Sequence, residues 1–289
     1  MSSDHAGVRL NRRQPVPARY VSRVPRSVLI TGASSGIGAA AARRLAEVGW
    51  SVWGTSRNPD GLGPDAPAIR WLPLELRDEA TIQRALATLL EQHKQLDAVV
   101  CNAGIGIFGS LEETSMEAAR MLFEANVLGT LATLRAALPA IRRAKGRVVL
   151  VGSLAGRAPI PFQGHYSAAK AATDAMAQSL ANELHAHGAH VSLIEPGDMQ
   201  TAFNDTLDFE AIESSAYGAP MERCREVIRA SLVDAPSPDA VAAAIERALT
   251  ARRPRFRYAV GKEAFAVALG RRLLPDRLAL RFVRSHFRL

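Results

Sequence analysis

Tyr166 and Lys170 stand four residues apart in the chain. On a helix that spacing puts both side chains on one face. A carbonyl that receives a hydride becomes an alkoxide and needs a proton at the same moment. The donor must lie within hydrogen-bond reach and have a pKa not far above neutrality. A free tyrosine titrates near about 10, and a neighbouring cation stabilises the phenolate and lowers that value. The pair therefore suits proton exchange with a carbonyl or an alcohol, Tyr166 serving as acid in reduction and base in oxidation. Ser153 closes an apolar run thirteen residues earlier, and Asn126 interrupts an apolar stretch where a buried amide would need partners.

A second constellation lies near the start. The run SVLIT leads into Thr31-Gly32-Ala33-Ser34-Ser35-Gly36-Ile37-Gly38 and then a stretch of small helix formers. A dinucleotide pyrophosphate needs backbone N–H donors and no side chain in the way. Gly32 permits a tight turn, Gly36 a close backbone approach, and Gly38 a helix start pressed against the sheet. The helix N-terminus adds partial positive charge for the anion.

These groups need a scaffold, and the chain alternates short β-rich runs with longer helical ones. Strands are expected at Ser27–Thr31, Ser51–Thr55, Ile69–Leu74, Asp97–Cys101, Arg147–Val151, His190–Ile194 and Arg257–Val260. Helices are expected up to about Val48 and over Glu79–His93, Met116–Ala137 and Tyr166–Ala186. Right-handed βαβ crossovers make this an α/β fold with a doubly wound, parallel, seven-stranded sheet in a single domain. Residues 1–25 read as a flexible basic arm, 26–261 as the catalytic domain and 262–289 as a basic helical tail. Asp198–Ser237 reads as a helical flap over the substrate side.

The spacing Gly-x-x-x-Gly-x-Gly resembles the short-chain dehydrogenase/reductase family over about Ser27–Val260, which implies a Rossmann sheet and an oxidoreductase. By that resemblance Asn126, Ser153, Tyr166 and Lys170 form the catalytic set. Ser153 would hold the substrate oxygen, Lys170 would also bind ribose hydroxyls, and Asn126 would sit in a kinked helix holding a relay water. The cofactor would meet Gly32, Ser34, Ser35, Gly36, Ile37 and Gly38 at the turn. Glu75 and Leu76 would lie near the adenine, and Asn102, Ala103 and Gly104 would line the cleft. Pro196, Gly197 and Thr201 would shape the nicotinamide pocket. NAD enzymes commonly place a carboxylate at the end of the second strand. Here Ser56 fills that place and Arg57 follows, a hydroxyl beside a guanidinium that suits a 2′-phosphate. NADP(H) is therefore the expected cofactor.

The substrate walls are expected from Ile105–Phe108, Pro159–Phe162, Phe203, Phe209, Tyr217 and Met221, mostly apolar, so the expected substrate is a lipophilic small-molecule carbonyl or alcohol. The net charge of +8 splits unevenly: residues 1–26 hold six Arg and one acid, and 251–289 hold eleven Lys/Arg and two acids. The body between is acidic, which argues against nucleic acid as a partner. Lys262–Gly270 and Pro275–His286 read as tail helices with Phe265, Leu269, Leu278, Phe282 and Val283 as an apolar stripe. The tail suits the substrate mouth, an anionic membrane surface, or simple packing on its own domain. Two widely separated cysteines suit a reducing compartment, so the expected location is the cytoplasm, with peripheral membrane contact open. No apolar run approaches the roughly 20 residues of a membrane span. The family resemblance implies a homo-oligomer without fixing its size. A non-catalytic dinucleotide sensor and an NAD-dependent alcohol dehydrogenase remain as alternative functions.

Overall fold

The computed structural model describes residues 25–62, 69–93, 95–201, 208–209, 216–262, 264, 267, 270 and 273–289. The expected arm, save Pro25, falls outside these residues, as do Phe203, Phe265, Leu269, the side chain of Phe209 and most of the first tail helix.

Strands β1 (Ser27–Ile30), β2 (Ser51–Ser56), β3 (Ile69–Pro73) and β4 (Ala98–Cys101) form the first half of the sheet. A two-residue strand, β5 (Ile107–Phe108), follows outside it. Then come β6 (Arg147–Val151), β7 (His190–Pro196), the second short strand β8 (Asp208–Phe209), and β9 (Arg257–Val260). The main sheet has seven strands in the order β3-β2-β1-β4-β6-β7-β9, all pairs parallel. Strands β1 and β4 are buried along their whole length. That is why they read as continuous apolar runs: helices cover both faces.

One face packs under α2 (Glu79–Gln92), α4 (Thr130–Ala144) and α5 (Gly164–His185) through Leu86, Leu134, Ile141 and Leu180. The other lies under α1 (Gly36–Glu47) and α7 (Pro238–Thr250), where Ala40, Ala41, Ala244 and Ala248 let the two helices and the sheet approach closely. Helix α7, which starts with Pro238 at its first turn, is absent from the sequence expectations, yet a parallel β7–β9 pair requires such a crossover. The flap contains a well-formed helix, α6 (Gly218–Val233), and the tail ends in α8 (Asp276–His286).

The helix expected from Met116 runs further than expected. Helix α3 (Met116–Phe123) passes through a π-helical turn, Glu124–Gly129, directly into α4. Pro139 lies inside α4. By length and composition alone Met116–Ala144 could cross a membrane, contrary to the sequence expectation. Its buried residues instead join the core beneath the sheet.

Behind β7 a buried ion network ties four segments together, β7, β9, α5 and the loop after Ser153. Glu195 is 1% exposed. Its Oε1 accepts from Arg257 Nη1 at 2.8 Å, and its Oε2 lies 3.7 Å from Arg157. Arg257 Nη2 also donates to Asp174 of α5 at 2.6 Å. Burial pushes the Glu195 carboxyl above the usual carboxylate range, with both guanidiniums acting against the shift. Removing one partner of such a pair leaves a charge in low dielectric. Arg257→Met should therefore destabilise the fold by about 3 kcal/mol, whereas Arg257→Met combined with Glu195→Leu should cost much less. The single variant should also lose less stability in mild acid than at neutral pH, because protonation neutralises Glu195 in the folded state. Urea unfolding at both pH values checks each outcome.

Candidate functional site

Strand β1 is the point where the sheet order reverses, so the loops after β1 and β4 diverge and leave a cleft at their carboxyl ends. The cleft holds about 1260 Å³ and is lined by Gly32, Ser34, Ser35, Gly36 and Ile37 of the glycine turn. Gly32 (φ +65°) and Gly36 (φ +52°) are both left-handed, a conformation that glycine adopts without steric cost. Gly38 stands outside the lining; a Cβ there would come 2.1 Å from the Gly32 carbonyl oxygen and 2.6 Å from Asn102 Nδ2. Helix α1 can begin against the turn only because Gly38 has no side chain. The result is a row of backbone N–H groups ahead of a helix N-terminus, which fits a pyrophosphate.

Asn102 locks this region to β4. Its Nδ2 donates to the Thr31 carbonyl at 3.0 Å, and its backbone N–H donates to Thr31 Oγ1 at 2.9 Å. Ala103 N–H shares the same hydroxyl at 3.1 Å. Ala103 and Gly104 line the cleft beside Asn102.

At one end, Ser56, Arg57, Asn58, Glu75, Leu76 and Arg77 gather where β2 and β3 end side by side. Glu75 Oε1 accepts from the backbone N–H of Arg77 at 3.1 Å and lies 3.5 Å from Arg77 Nε. Its carboxylate is thus engaged within its own turn. Among the described residues no acid pairs with Arg57. Asn58 and Arg77 are absent from the sequence expectations, although the parallel register of β2 and β3 makes the residues after each strand neighbours.

At the other end, Ser153, Tyr166 and Lys170 converge. Ser153 opens a short 3₁₀ turn, its Oγ accepting from Ala155 N–H at 3.1 Å and reaching the Pro196 carbonyl at 3.5 Å. It also hydrogen-bonds Tyr166. Lys170 Nζ lies 5.7 Å from the Tyr166 ring centroid and donates to the Val151 carbonyl at 3.0 Å. Burial lowers Lys170 to about 8 and pushes Tyr166 up to about 12; the Ser153 hydrogen bond lowers Tyr166 and the field of Asp198 raises it. The i,i+4 spacing alone implies that Lys170 depresses the tyrosine. Desolvation wins here, because the phenolate would be buried and the ammonium is turned towards a carbonyl.

Asn126 does not line the cleft. It is 3% exposed and clamps the backbone of Ile105, Oδ1 accepting from N–H and Nδ2 donating to C=O, each at 2.8 Å. The π-helical turn presents it there. Pro196 and Gly197 line the cleft after β7, with Gly197 N–H donating to the Val260 carbonyl at 2.8 Å. Thr201 also lines it, 3.5 Å from where a Cβ on Gly36 would stand.

The substrate side corrects part of the expectation. Ile105, Ile107, Pro159 and Ile160 do line the cleft. Phe108, Phe162, Tyr217 and Met221 instead pack with Cys224 into a separate cluster that pins the flap. Phe162 holds a left-handed backbone, φ +61°, and its carbonyl accepts from Gly109 N–H at 2.7 Å. Apolar cover over the cleft comes from α8, through Ala279, Phe282 and Val283, and from Phe287 just after it.

The profile of the short chain dehydrogenase family matches residues 26–210. The chain is 32% identical over 259 residues to a 3-ketodihydrosphingosine reductase of Bacteroides thetaiotaomicron, covering 88% of this chain and 95% of that one. It is 36% identical over 256 residues to estradiol 17-beta-dehydrogenase 1 of Rattus norvegicus, covering 80% and 72%. A short-chain dehydrogenase structure from Streptomyces avermitilis superposes with a TM-score of 0.78 at 29% identity, covering 92% of this chain and 97% of that one. Solved structures of the same fold hold 5-hydroxy-NADP, NADP or NAD. The chain belongs to the short-chain dehydrogenase/reductase family. It is an oxidoreductase acting on CH–OH/C=O groups, with a nicotinamide dinucleotide as its cofactor.

Gly38→Ala tests the turn. The new methyl group cannot share space with a backbone carbonyl, so α1 must shift. We expect a loss of about 2 kcal/mol in stability, read by urea unfolding, and at least about tenfold weaker dinucleotide binding, read by tryptophan fluorescence.

Proposed function

We propose that the protein is an NADP(H)-dependent reductase of lipophilic ketones or aldehydes, whose site also supports oxidation of secondary alcohols. The observation that carries this reading is one cleft with a proton donor at its apolar end and, at its adenosine end, an arginine that pairs with no acid among the described residues. Ser56 and Arg57 would hold the 2′-phosphate, and the glycine turn the pyrophosphate. When bound, the nicotinamide supplies or accepts the hydride. Tyr166 gives its proton to the carbonyl oxygen, and Ser153 holds that oxygen in place. Lys170, whose ammonium donates to the Val151 carbonyl, would meet the ribose hydroxyls and supply positive charge beside the phenol. Asn126 supports the loop after β4 from behind. A lipophilic substrate is supported by the apolar lining and by similarity to enzymes named for 3-ketodihydrosphingosine and estradiol.

The decisive experiment is a titration of wild type and Arg57→Ala with NADPH and NADH, read by tryptophan fluorescence. We expect NADPH to bind more tightly, and that preference to fall about tenfold or more in the variant, as for loss of a charge-assisted phosphate contact. Equal or tighter NADH binding would replace this reading with an NAD-dependent alcohol dehydrogenase. No binding of either would favour a sensor without chemistry. NADPH consumption with lipophilic ketones should fall at least about a hundredfold in Tyr166→Phe.

For location we propose a cytoplasmic enzyme that touches anionic lipid through α8. Arg277, Arg281 and Arg284 share one face by helical spacing, opposite the side that lines the cleft. Among the described residues none of them has an acidic partner. Leu278 and Leu280, 45% and 57% exposed, flank the stripe. Such a helix suits a headgroup boundary. Flotation with phosphatidylserine-containing vesicles should carry the protein upward, and replacing the three arginines with glutamine should abolish it. Wild type remaining at the bottom of the gradient would sink the proposal.

A further inference from the structure

Most polar side chains at the reacting end of the cleft have a task or a partner. Ser153, Tyr166 and Lys170 carry the chemistry above, and Asp198 accepts from Ser231 of α6 at 2.6 Å. Gln163 has neither. It lines the cleft and is 7% exposed. Its main chain is engaged on both sides: the N–H donates to the Ile160 carbonyl at 3.1 Å, and the carbonyl accepts from Ser167 N–H at 2.8 Å. Its side chain makes no capping bond at the start of α5 and has no hydrogen-bond partner among the described residues. The polar atoms of the interior that lack both solvent and a hydrogen bond do not include this amide. The amide therefore meets the open space of the cleft.

The backbone just before it accounts for that orientation. Phe162 keeps its left-handed conformation while its ring packs into the flap cluster, 6.1 Å from Phe108. Such a conformation is costly for a bulky residue, and strain of this kind gathers at ligand sites. Here it turns Phe162 to the flap and Gln163 to the cleft. A desolvated amide without a partner is costly as well. An apolar ketone filling the cleft would displace any water that reaches the amide and leave donor and acceptor unpaired.

Position and chemistry narrow what answers it. Gln163 precedes Tyr166 by three residues, a spacing that sets the two side chains about 5–6 Å apart along the start of α5. The amide offers an acceptor and a donor side by side. A ligand hydroxyl answers one of them in good geometry. A carboxylate answers only the donor and brings a charge into an apolar cleft. A carboxamide presents its own N–H and C=O side by side and satisfies both at once.

We infer that Gln163 determines specificity by pairing with a carboxamide borne on the carbon beside the reacting carbonyl. The inference rests on the reductase reading above and narrows its substrates to keto amides with an apolar chain. Ser153 and Tyr166 hold the reacting oxygen, Gln163 holds the carboxamide one helical turn away, and the chain follows the apolar lining towards α8. Gln163 neither gives nor takes a proton; it selects and orients.

The test compares 3-oxooctanamide, methyl 3-oxooctanoate and 2-methyl-4-nonanone. The ester keeps the second carbonyl but lacks the N–H, and the third compound replaces the carboxamide with an isopropyl group of the same shape. The full-length protein reduces each with saturating NADPH or NADH, whichever binds. We expect kcat/KM for the amide to exceed that for the ester by about tenfold, and that for the apolar ketone by more, because a site built to hydrogen-bond rejects an analogue that leaves it unpaired. Both ratios should fall by about tenfold or more in Gln163→Leu and in Gln163→Met, neither of which removes a capping bond. Dinucleotide affinity of the two variants, read by tryptophan fluorescence, should match wild type. Equal rates for amide and ester, ratios unchanged in the variants, or dinucleotide affinity lost in both, which would place Gln163 against the cofactor's own carboxamide, would each overturn the inference. Should none of the ketones be reduced, the reductase reading fails, and the pairing is decided by calorimetric titration of 3-hydroxyoctanamide against methyl 3-hydroxyoctanoate. About tenfold tighter binding of the amide to wild type, lost in both variants, upholds it. Equal or undetectable binding, or a preference kept in the variants, overturns it.

Discussion

The whole arrangement depends on the contact between Thr31 and Asn102 where β1 and β4 part. A sheet whose winding reverses must leave its loops diverging at that point, and diverging loops expose backbone groups that need partners. Thr31 Oγ1 accepts two N–H groups from the opposite loop, and the Asn102 amide returns a bond to the Thr31 carbonyl. These few bonds set the width of the cleft. They also fix the Gly32 carbonyl against which α1 begins, so the glycine turn, the helix behind it and the loop after β4 share one origin.

Electrostatics at the reacting end follow from burial more than from charge pairing. Tyr166 sits high and Lys170 low, both because water is excluded. The protein without its ligands thus holds a neutral phenol beside an ammonium that is easily deprotonated, and proton traffic there is sensitive to any charge brought into the cleft. The buried network of Glu195, Arg257, Asp174 and Arg157 lies directly behind. It joins the loop after Ser153, the helix of Tyr166 and strand β7, Glu195 reaching Arg157 directly and Asp174 through Arg257, so three segments that border the cleft are fixed to one another.

Local spacing makes part of this legible in the amino-acid sequence. The glycine turn and the Tyr166/Lys170 pair are short-range patterns whose geometry follows from one turn and one helix, and the strands stand out as apolar runs. What requires three dimensions is the partner of each side chain. Phe108, Phe162, Tyr217 and Met221 are aromatic or large and apolar, and composition cannot say whether such residues face a ligand or one another; here they face one another. The sign of the Tyr166 shift depends on how much water reaches the phenol, which an i,i+4 pattern does not encode. Helix α7 is recoverable in principle from topology, since two parallel neighbours cannot be joined without a crossover. Arg77 and Asp198 carry no motif and become visible only through the cleft they border.

The two cysteines give the molecule a built-in gauge of its own opening. Cys101 closes β4 in the centre of the sheet, while Cys224 sits in the cluster that pins α6. Burial raises both thiols to about 12, so in the closed molecule neither presents a thiolate to an alkylating reagent. Each becomes reactive only when its own surroundings part. The rate at which Cys224 is alkylated measures how often the flap lifts, the rate at Cys101 measures how often the sheet itself comes undone, and the ratio of the two separates breathing of the lid from unfolding of the enzyme.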